Sequence, residues 1–312
     1  MKKIITSCLA IAALAVGVAT TLAQQQRVTT TKQKVGQRIE TRGQASSRLA
    51  SLRPSVAFAV TQPEKSAVTS VVVPGANTMF GGLMVYSDKW QTSESTPGVV
   101  SIQAREGGAI SMVHSNKDML NVKSAVKVNN IVYATAMNLS TYKIYVQEYS
   151  ATSWTCTRNE ETDMVNLSSS LACDPTTGKI YGSFFNTETE YWDRFCSYSA
   201  SLGEATDIAN MDRDVHALAF NSKGELYGIW GATGWLVKID KKTGSYVQVG
   251  KTGLHPISVD DYGVNSLAFG NDGALYWSAT YQGTSSKDMR GGLFKIDTAT
   301  GKATKVMDYP NN

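Results

Sequence analysis

Asp212, Asp214 and His216 form an Asp-x-Asp-x-His run. Alternate side chains of a strand share one face, so an extended segment here would bring all three together. Two carboxylates beside an imidazole can ligate a divalent metal or act as an acid–base set. The chain has only three histidines, His114, His216 and His255, and the positions matching His216 in the neighbouring repeats are Asn265 and Ser169. The ring of histidines that a metal-centred channel requires is therefore missing from the sequence. The ordinary role for His216 is a hydrogen bond to a nearby loop. No Gly-x-Ser-x-Gly, His-Glu-x-x-His, phosphate loop or Ser-x-Asp-x-Gly-x-x-Trp motif occurs.

A second set of residues suits recognition. Trp90, Trp192, Trp230, Tyr262 and Tyr281, with Asp261 and Asn265, fall at or near the connections between strands. Aromatic faces interspersed with carboxylates and amides suit sugars, cationic groups or peptides. They are expected to meet at one acidic, aromatic mouth, with a glycan, peptide or protein as ligand. No motif calls for a cofactor. The aspartates of the repeated turns offer one carboxylate each, too few hard ligands for calcium, so no metal site is expected.

These residues sit in a repeat. Leu218-Ala-Phe-Asn-Ser-Lys-Gly-Glu-Leu-Tyr227 is matched by Leu267-Ala-Phe-Gly-Asn-Asp-Gly-Ala-Leu-Tyr276. Weaker copies end at Tyr181, Tyr133 and Tyr86, so the five tyrosines stand 47, 48, 46 and 49 residues apart. A period of this length with strand signatures predicts the blades of an all-β propeller. In the fourth copy the strands are expected at 215–220, 226–230, 235–240 and 245–250. Asp240-x-x-Thr-Gly244 recurs as Asp297-x-x-Thr-Gly301 between the third and fourth strands, where the aspartate can cap turn amides. The repeated tyrosines read as core packed between adjacent blades. Five four-stranded blades close the ring unless a degenerate or missing sixth is present, or 55–60 pairs with an outer strand. Closure matters because open strand edges are avoided.

The motif Leu-Ala-Phe-x-x-x-Gly-x-Leu-Tyr, followed by Leu-x-Lys-Ile-Asp-x-x-Thr-Gly, resembles the blades of secreted bacterial propellers of the NHL and YVTN type. The resemblance covers about residues 74–309 and implies a fold without implying any catalytic position. Residues 1–23 read as a signal peptide, with Lys2 and Lys3 before an apolar stretch and cleavage after Ala23. Followed by Gln24, this start resembles exported proteins of the Bacteroidetes. A periplasmic, cell-surface or extracellular location is expected, with no stable membrane span once the signal is cleaved.

Composition divides the rest. Residues 24–65 form a basic leader poor in apolar side chains, and 66–312 form the propeller domain. Residues 1–65 carry 10 basic and 2 acidic side chains while the whole chain is +4, which leaves 66–312 at −4. The positive charge thus belongs to the leader, which removes the case for nucleic-acid binding by the domain. Cys156, Cys173 and Cys196 remain after cleavage. An odd count leaves at least one unpaired, and all three read as small buried hydrophobes. The function expected is a non-catalytic binding module. The alternatives are a propeller hydrolase or lyase using His216 with its nearby carboxylates, and a structural N-terminal part of a larger surface protein.

Overall fold

The computed structural model describes residues 59–60, 79–86, 96–115, 120–138, 141–231, 233–257, 265–284 and 288–309. The signal peptide, nearly all of the leader, and Trp90, Asp261 and Tyr262 lie outside the described residues. Twenty strands and one single-turn 3-10 helix at Met164–Asn166 form a five-bladed β-propeller.

Blade 1 contains β2 (Met79–Tyr86), β3 (Thr96–Gln103) and β4 (Ile110–Ser115). Blade 2 contains β5 (Asn121–Val128), β6 (Ile131–Met137), β7 (Ile144–Ser150) and β8 (Cys156–Thr162). Blade 3 runs β9 (Ser168–Cys173), β10 (Ile180–Asn186), β11 (Tyr191–Ser199) and β12 (Glu204–Asn210). Blade 4 runs β13 (Val215–Phe220), β14 (Leu226–Trp230), β15 (Trp235–Ile239) and β16 (Tyr246–Lys251). Blade 5 runs β17 (Asn265–Phe269), β18 (Leu275–Gln282), β19 (Met289–Ile296) and β20 (Ala303–Asp308). Each blade is an antiparallel meander, and the first strands of successive blades from 1 to 5 touch one another.

The five expected blades form the ring, and the pairing of its first described residues differs from the expected outer-strand route. Short β1 (Ala59–Val60) pairs in parallel with the innermost strand β5, through Ala59 to Ala125 and Val60 to Val126. It also contacts β2 and β17, so it takes the inner position that blade 1 otherwise lacks, rather than an outer edge. The last blade meets the first directly: Tyr276 and Leu293 share a core cluster with Val100 and Ile102.

The repeated tyrosines hold blades together. Tyr181 packs on Phe220 of the next blade with ring centres 5.5 Å apart, and Tyr227 packs edge-on against Phe269 at 5.7 Å. Tyr133 packs on the cluster of Leu171 and Cys173. Burial of each ring contributes about 2–3 kcal/mol. The first copy is out of register with the sequence reading. Gly81, opposite Ser101, takes the place that Tyr227 takes opposite Lys238, whereas Tyr86 ends the strand opposite Thr96.

The turns between third and fourth strands form as their sequence predicts. Asp240 Oδ1 accepts from the Lys242 amide at 2.7 Å and Asp297 Oδ1 from the Ala299 amide at 2.8 Å. Gly244 and Gly301 follow with φ of 71° and 79°, a conformation that strongly favours glycine. Lys241 of the blade 4 turn reaches the fully buried carboxylate of Asp174 in blade 3 and also the Gly224 carbonyl at 3.1 Å. Burial alone would raise the Asp174 carboxyl. The Lys241 bond, with those from Thr176 and Thr177, outweighs it and holds the group below the usual range.

Two predictions follow from these contacts. Gly301→Ala and Gly107→Ala both place a methyl at positive φ, but only the first meets backbone, 2.5 Å from Gly250. Chemical denaturation should show Gly301→Ala less stable than Gly107→Ala by about 2 kcal/mol. The Asp174 stabilisation is complete above the unfolded carboxylate value of about 3.9 and is lost as pH falls through the lower folded value. Asp174→Asn should therefore lose about 2 kcal/mol at neutral pH, because Lys241 keeps partial solvent contact. Its stability curve should also be flatter than wild type below about pH 4.

Candidate functional site

The connections between second and third strands, and from each fourth strand to the next blade, share one face of the ring. The sequence analysis placed a binding mouth there. Its floor is set by the heads of the first strands, where the ladder bulges. In β13 the pairing passes from Val215–Trp230 to Ala217–Ile229 and leaves His216 between. Ser169 is left over in the same way in β9, and Lys123 in β5. Asn265 heads β17 without a bulge, opposite Ala279. Lys123, Ser169, His216 and Asn265 are all buried. A bulge lets an extra side chain leave the alternation of the pleat, which is how each strand places a polar group beside an apolar core.

Much of this polarity is spent on joining the blades. Ser169 Oγ donates to the Val215 carbonyl at 2.8 Å, and Ser170 Oγ accepts from the Leu218 amide at 2.8 Å. Thr135, Ser124 and Ser168 share a buried hydroxyl cluster across blades 2 and 3, with Thr135 and Ser168 at 2.9 Å. Asn265 Oδ1 accepts from Trp277 Nε1 at 3.1 Å, and its Nδ2 donates to the Ile257 carbonyl at 3.1 Å. Lys123 is absent from the sequence-derived candidates because its repeat has a shorter hairpin turn. Counting back from Tyr133 through its partner Val126 puts Lys123 at the His216 position.

The Asp-x-Asp-x-His residues do not all lie on one strand. Strand β13 begins only at Val215, so the alternation expected to align them does not reach Asp212 and Asp214. Asp212 Oδ1 accepts from the Tyr246 hydroxyl on outer strand β16 at 2.8 Å. Asp214 Oδ1 accepts from the Trp192 amide of blade 3 at 3.0 Å. The His216 imidazole packs against Gly231, where there is no room for a methyl group, and Gly231 N donates to the Asp214 carbonyl at 3.0 Å. One carboxylate is directed outward, one toward the preceding blade, and the imidazole into its own hairpin.

The described aromatic candidates are inside the blades. Trp192 is fully buried with Met137, Ile144 and Leu167, edge-on to Phe185 at 5.3 Å. Trp230 stacks edge-on against Tyr246 at 4.7 Å beneath the Arg213 guanidinium, 4.9 Å from its ring centre. Tyr281 packs on Phe294 at 5.2 Å. Rings near strand ends are drawn into the gaps between sheets, since each removes 150–250 Å² from water. Their faces are not presented to a ligand at the mouth.

Carboxylates remain outside. Glu161, Asp163, Glu188 and Asp212 are exposed on the mouth side of blades 2 to 4. Lys143 pairs with Glu161 at 2.6 Å. In blade 5 the Arg290 bond, helped by the Thr284 amide, lowers the Asp288 carboxyl to about 2. The loops after second strands differ in sequence but share a backbone turn in three blades. Tyr142, Glu190 and Gly234 each sit at φ near 60° and donate their amide to the carbonyl four residues back. Non-glycine residues in this conformation store about 1–3 kcal/mol, and such strain clusters at functional sites.

No cluster able to hold a metal occurs among the described residues. No disulfide joins the three described cysteines. Burial pushes the Cys173 thiol up to about 11, with Asp174 adding to the effect, and burial raises Cys196 further. Both are poor nucleophiles at neutral pH. No helix of the described residues is long and apolar enough to cross a membrane.

Neither a protein-family model nor a curated protein matches the chain. Solved structures with similar folds include PorZ, a surface component of the type-IX secretion system of Porphyromonas gingivalis. It is 14% identical over 66% of this chain and 30% of its own, with a TM-score of 0.37. Virginiamycin B lyase from Staphylococcus aureus is 12% identical over 75% of this chain and 76% of its own, with a TM-score of 0.38. An auxiliary nutrient-binding protein from Bacteroides thetaiotaomicron is 12% identical over 58% and 39% of the two chains, with a TM-score of 0.37. This chain thus spans less than a third of the length of PorZ. The three proteins have unlike functions.

Relief of the strained turn is testable. Glu190 is half-buried at φ 59°, where glycine carries no steric penalty. Glu190→Gly should raise stability by about 1 kcal/mol in denaturant titrations, against the usual loss for a glycine substitution.

Proposed function

We propose that the chain is an exported, non-catalytic propeller that binds a peptide, a glycan or a surface protein at the mouth face. The observation that carries this reading is the placement of the charged groups. The mouth side of blades 2 to 4 presents Glu161, Asp163, Glu188 and Asp212 to solvent, while Asp214 accepts from the Trp192 amide of blade 3 and the His216 imidazole lies against Gly231. Separated carboxylates on a rigid ring suit contacts to hydroxyl or cationic groups, whereas acid–base catalysis requires converging groups within hydrogen-bond reach. Export is supported by the signal-like first 23 residues. By sequence, Trp90, Asp261 and Tyr262 belong to the same set of connections and complete the proposed ligand set.

A thermal-shift screen of the full chain against glycans, short basic and neutral peptides, and divalent metals with chelator controls tests the reading. A ligand at about 100 times its Kd adds about 2.7 kcal/mol and a measurable shift in Tm. A glycan or peptide should stabilise the protein, and Glu188→Gln with Asp163→Asn should weaken that shift while leaving the unliganded Tm in place. Stabilisation by a metal alone, abolished by chelator, would overturn the reading in favour of a hydrolase or lyase.

A further inference from the structure

Four of the five turns between third and fourth strands press into the preceding blade. Trp154 packs on the cluster that holds Val99 of blade 1. A methyl on Gly203 would meet Val146 at 2.9 Å, one on Gly244 would meet Ala209 at 2.6 Å, and Gly301 lies against Gly250. The fifth turn, residues 104–108 of blade 1, faces blade 5. There Gly107 has the same positive φ, 60°, yet a methyl on it would touch nothing within 4 Å. The ring closes at this seam through its core and through Ala104, which packs with Met307, but stays open around Gly107.

The opening is a cleft of about 880 Å³ between that turn and β20, at the upper end of the range for ligand sites. Lys305, Val306, Met307 and Asp308 all line it. Four consecutive residues of one strand can border a cleft only along the strand's edge, since alternate side chains point to opposite faces. β20 is last in its sheet, so this edge pairs with no other strand among the described residues.

The charges along the cleft are unevenly satisfied. Asp272 accepts from the Tyr276 hydroxyl at 2.9 Å and the Ala274 amide at 3.0 Å, with Lys295 at 3.6 Å. Lys305 bonds both oxygens of Asp308 at 3.1 Å. Arg105 has no carboxylate partner among the described residues. Its Nη2 donates to Gln103 Oε1 at 3.1 Å and its Nη1 reaches the Glu106 carbonyl at 3.5 Å, while its Nε is buried without an acceptor. A buried guanidinium donor is completed best by a planar carboxylate, which can take two parallel bonds.

We propose that this seam binds an extended acidic peptide, which sets a carboxylate on Arg105 and lays its backbone along the free edge of β20. Strand addition to an exposed edge draws affinity from main-chain bonds and specificity from alternate side chains. Glu106 and Asp308 flank the site and disfavour polyanions of uniform charge, such as nucleic acid or sulfated glycan, whereas a peptide can alternate charged and apolar residues. The site lies on the face opposite the mouth and does not depend on the reading given for the mouth.

Fluorescence anisotropy of the full chain with a labelled peptide of alternating glutamate and valine tests this, with the glutamine–valine peptide and oligoglucuronate as comparison probes. The glutamate peptide should bind saturably, at least about tenfold more tightly than the glutamine peptide, and more weakly as salt rises. Arg105→Gln should lose about tenfold in affinity at an unchanged Tm. Should that variant unfold, Lys305→Gln, at a half-exposed position, should still weaken binding by about threefold. The proposal is overturned by absence of saturable binding, by equal affinity in the variant that folds, or by oligoglucuronate binding more tightly than the peptide.

Discussion

The structure depends on one contact repeated around the ring: a tyrosine early in the second strand of each of blades 2 to 5, buried against the next blade. Tyr181 on Phe220 and Tyr227 on Phe269 are the clearest instances. A four-stranded sheet has two faces to bury and no helix to cover either, so each blade must be sandwiched between two others. A linear stack would leave its end sheets bare, and only a closed ring satisfies every blade. Closure between blades 5 and 1 is therefore part of the same constraint, met by Tyr276 with Val100 and Ile102. The parallel pairing of β1 with β5 fills the inner gap that blade 1 leaves.

The same contact explains how much of the fold the sequence made legible. Periodic tyrosines, glycine turns and the Asp-x-x-Thr-Gly motif are local chemistry, and blades 3 to 5 appear where those signals are strong. In blade 4 the expected strands agree with β13 to β16 to within a residue or so at their ends. Blade 1 shows the limit. Its regular spacing selected Tyr86, although the strand register puts Gly81, opposite Ser101, at the place of Tyr227. A pattern anchored on residue identity therefore slid along the strand to a tyrosine outside that place.

The candidate site was less legible, for a reason visible in Trp192, Trp230 and Tyr281. All three adjoin loops in the sequence, and loops are where ligands are met. In a propeller, however, the ends of second and third strands still face neighbouring blades, and the drive to remove a large ring from water acts up to the last paired residue. The acid–base trio raises a different point. Asp212, Asp214 and His216 have the spacing of one strand face, but only His216 is on the strand, and it occupies a bulge that breaks the alternation. Spacing carries geometric meaning only inside a regular element. Lys123 shows the converse: invisible to a repeat that ignores turn length, it is placed at once by the pairing of Tyr133 with Val126.

Two kinds of surface result, and they differ because the ring is nearly symmetric while the chain is not. The mouth face is built from connections that no interblade contact constrains, so its residue types vary even where Tyr142, Glu190 and Gly234 keep one backbone turn. The turn face is uniform, since each turn must fit the blade before it, and a glycine at positive φ is the simplest way to fit. That rule lapses where the covalent order of the blades ends. Blade 1 meets blade 5 without a connecting loop to fix the approach of residues 104–108, and beyond Ala104, which packs with Met307, the turn leaves a cleft beside β20. A ring closed by core packing alone can be tight at its centre and open at its rim, and its rim is where a charged, unpaired strand edge remains exposed.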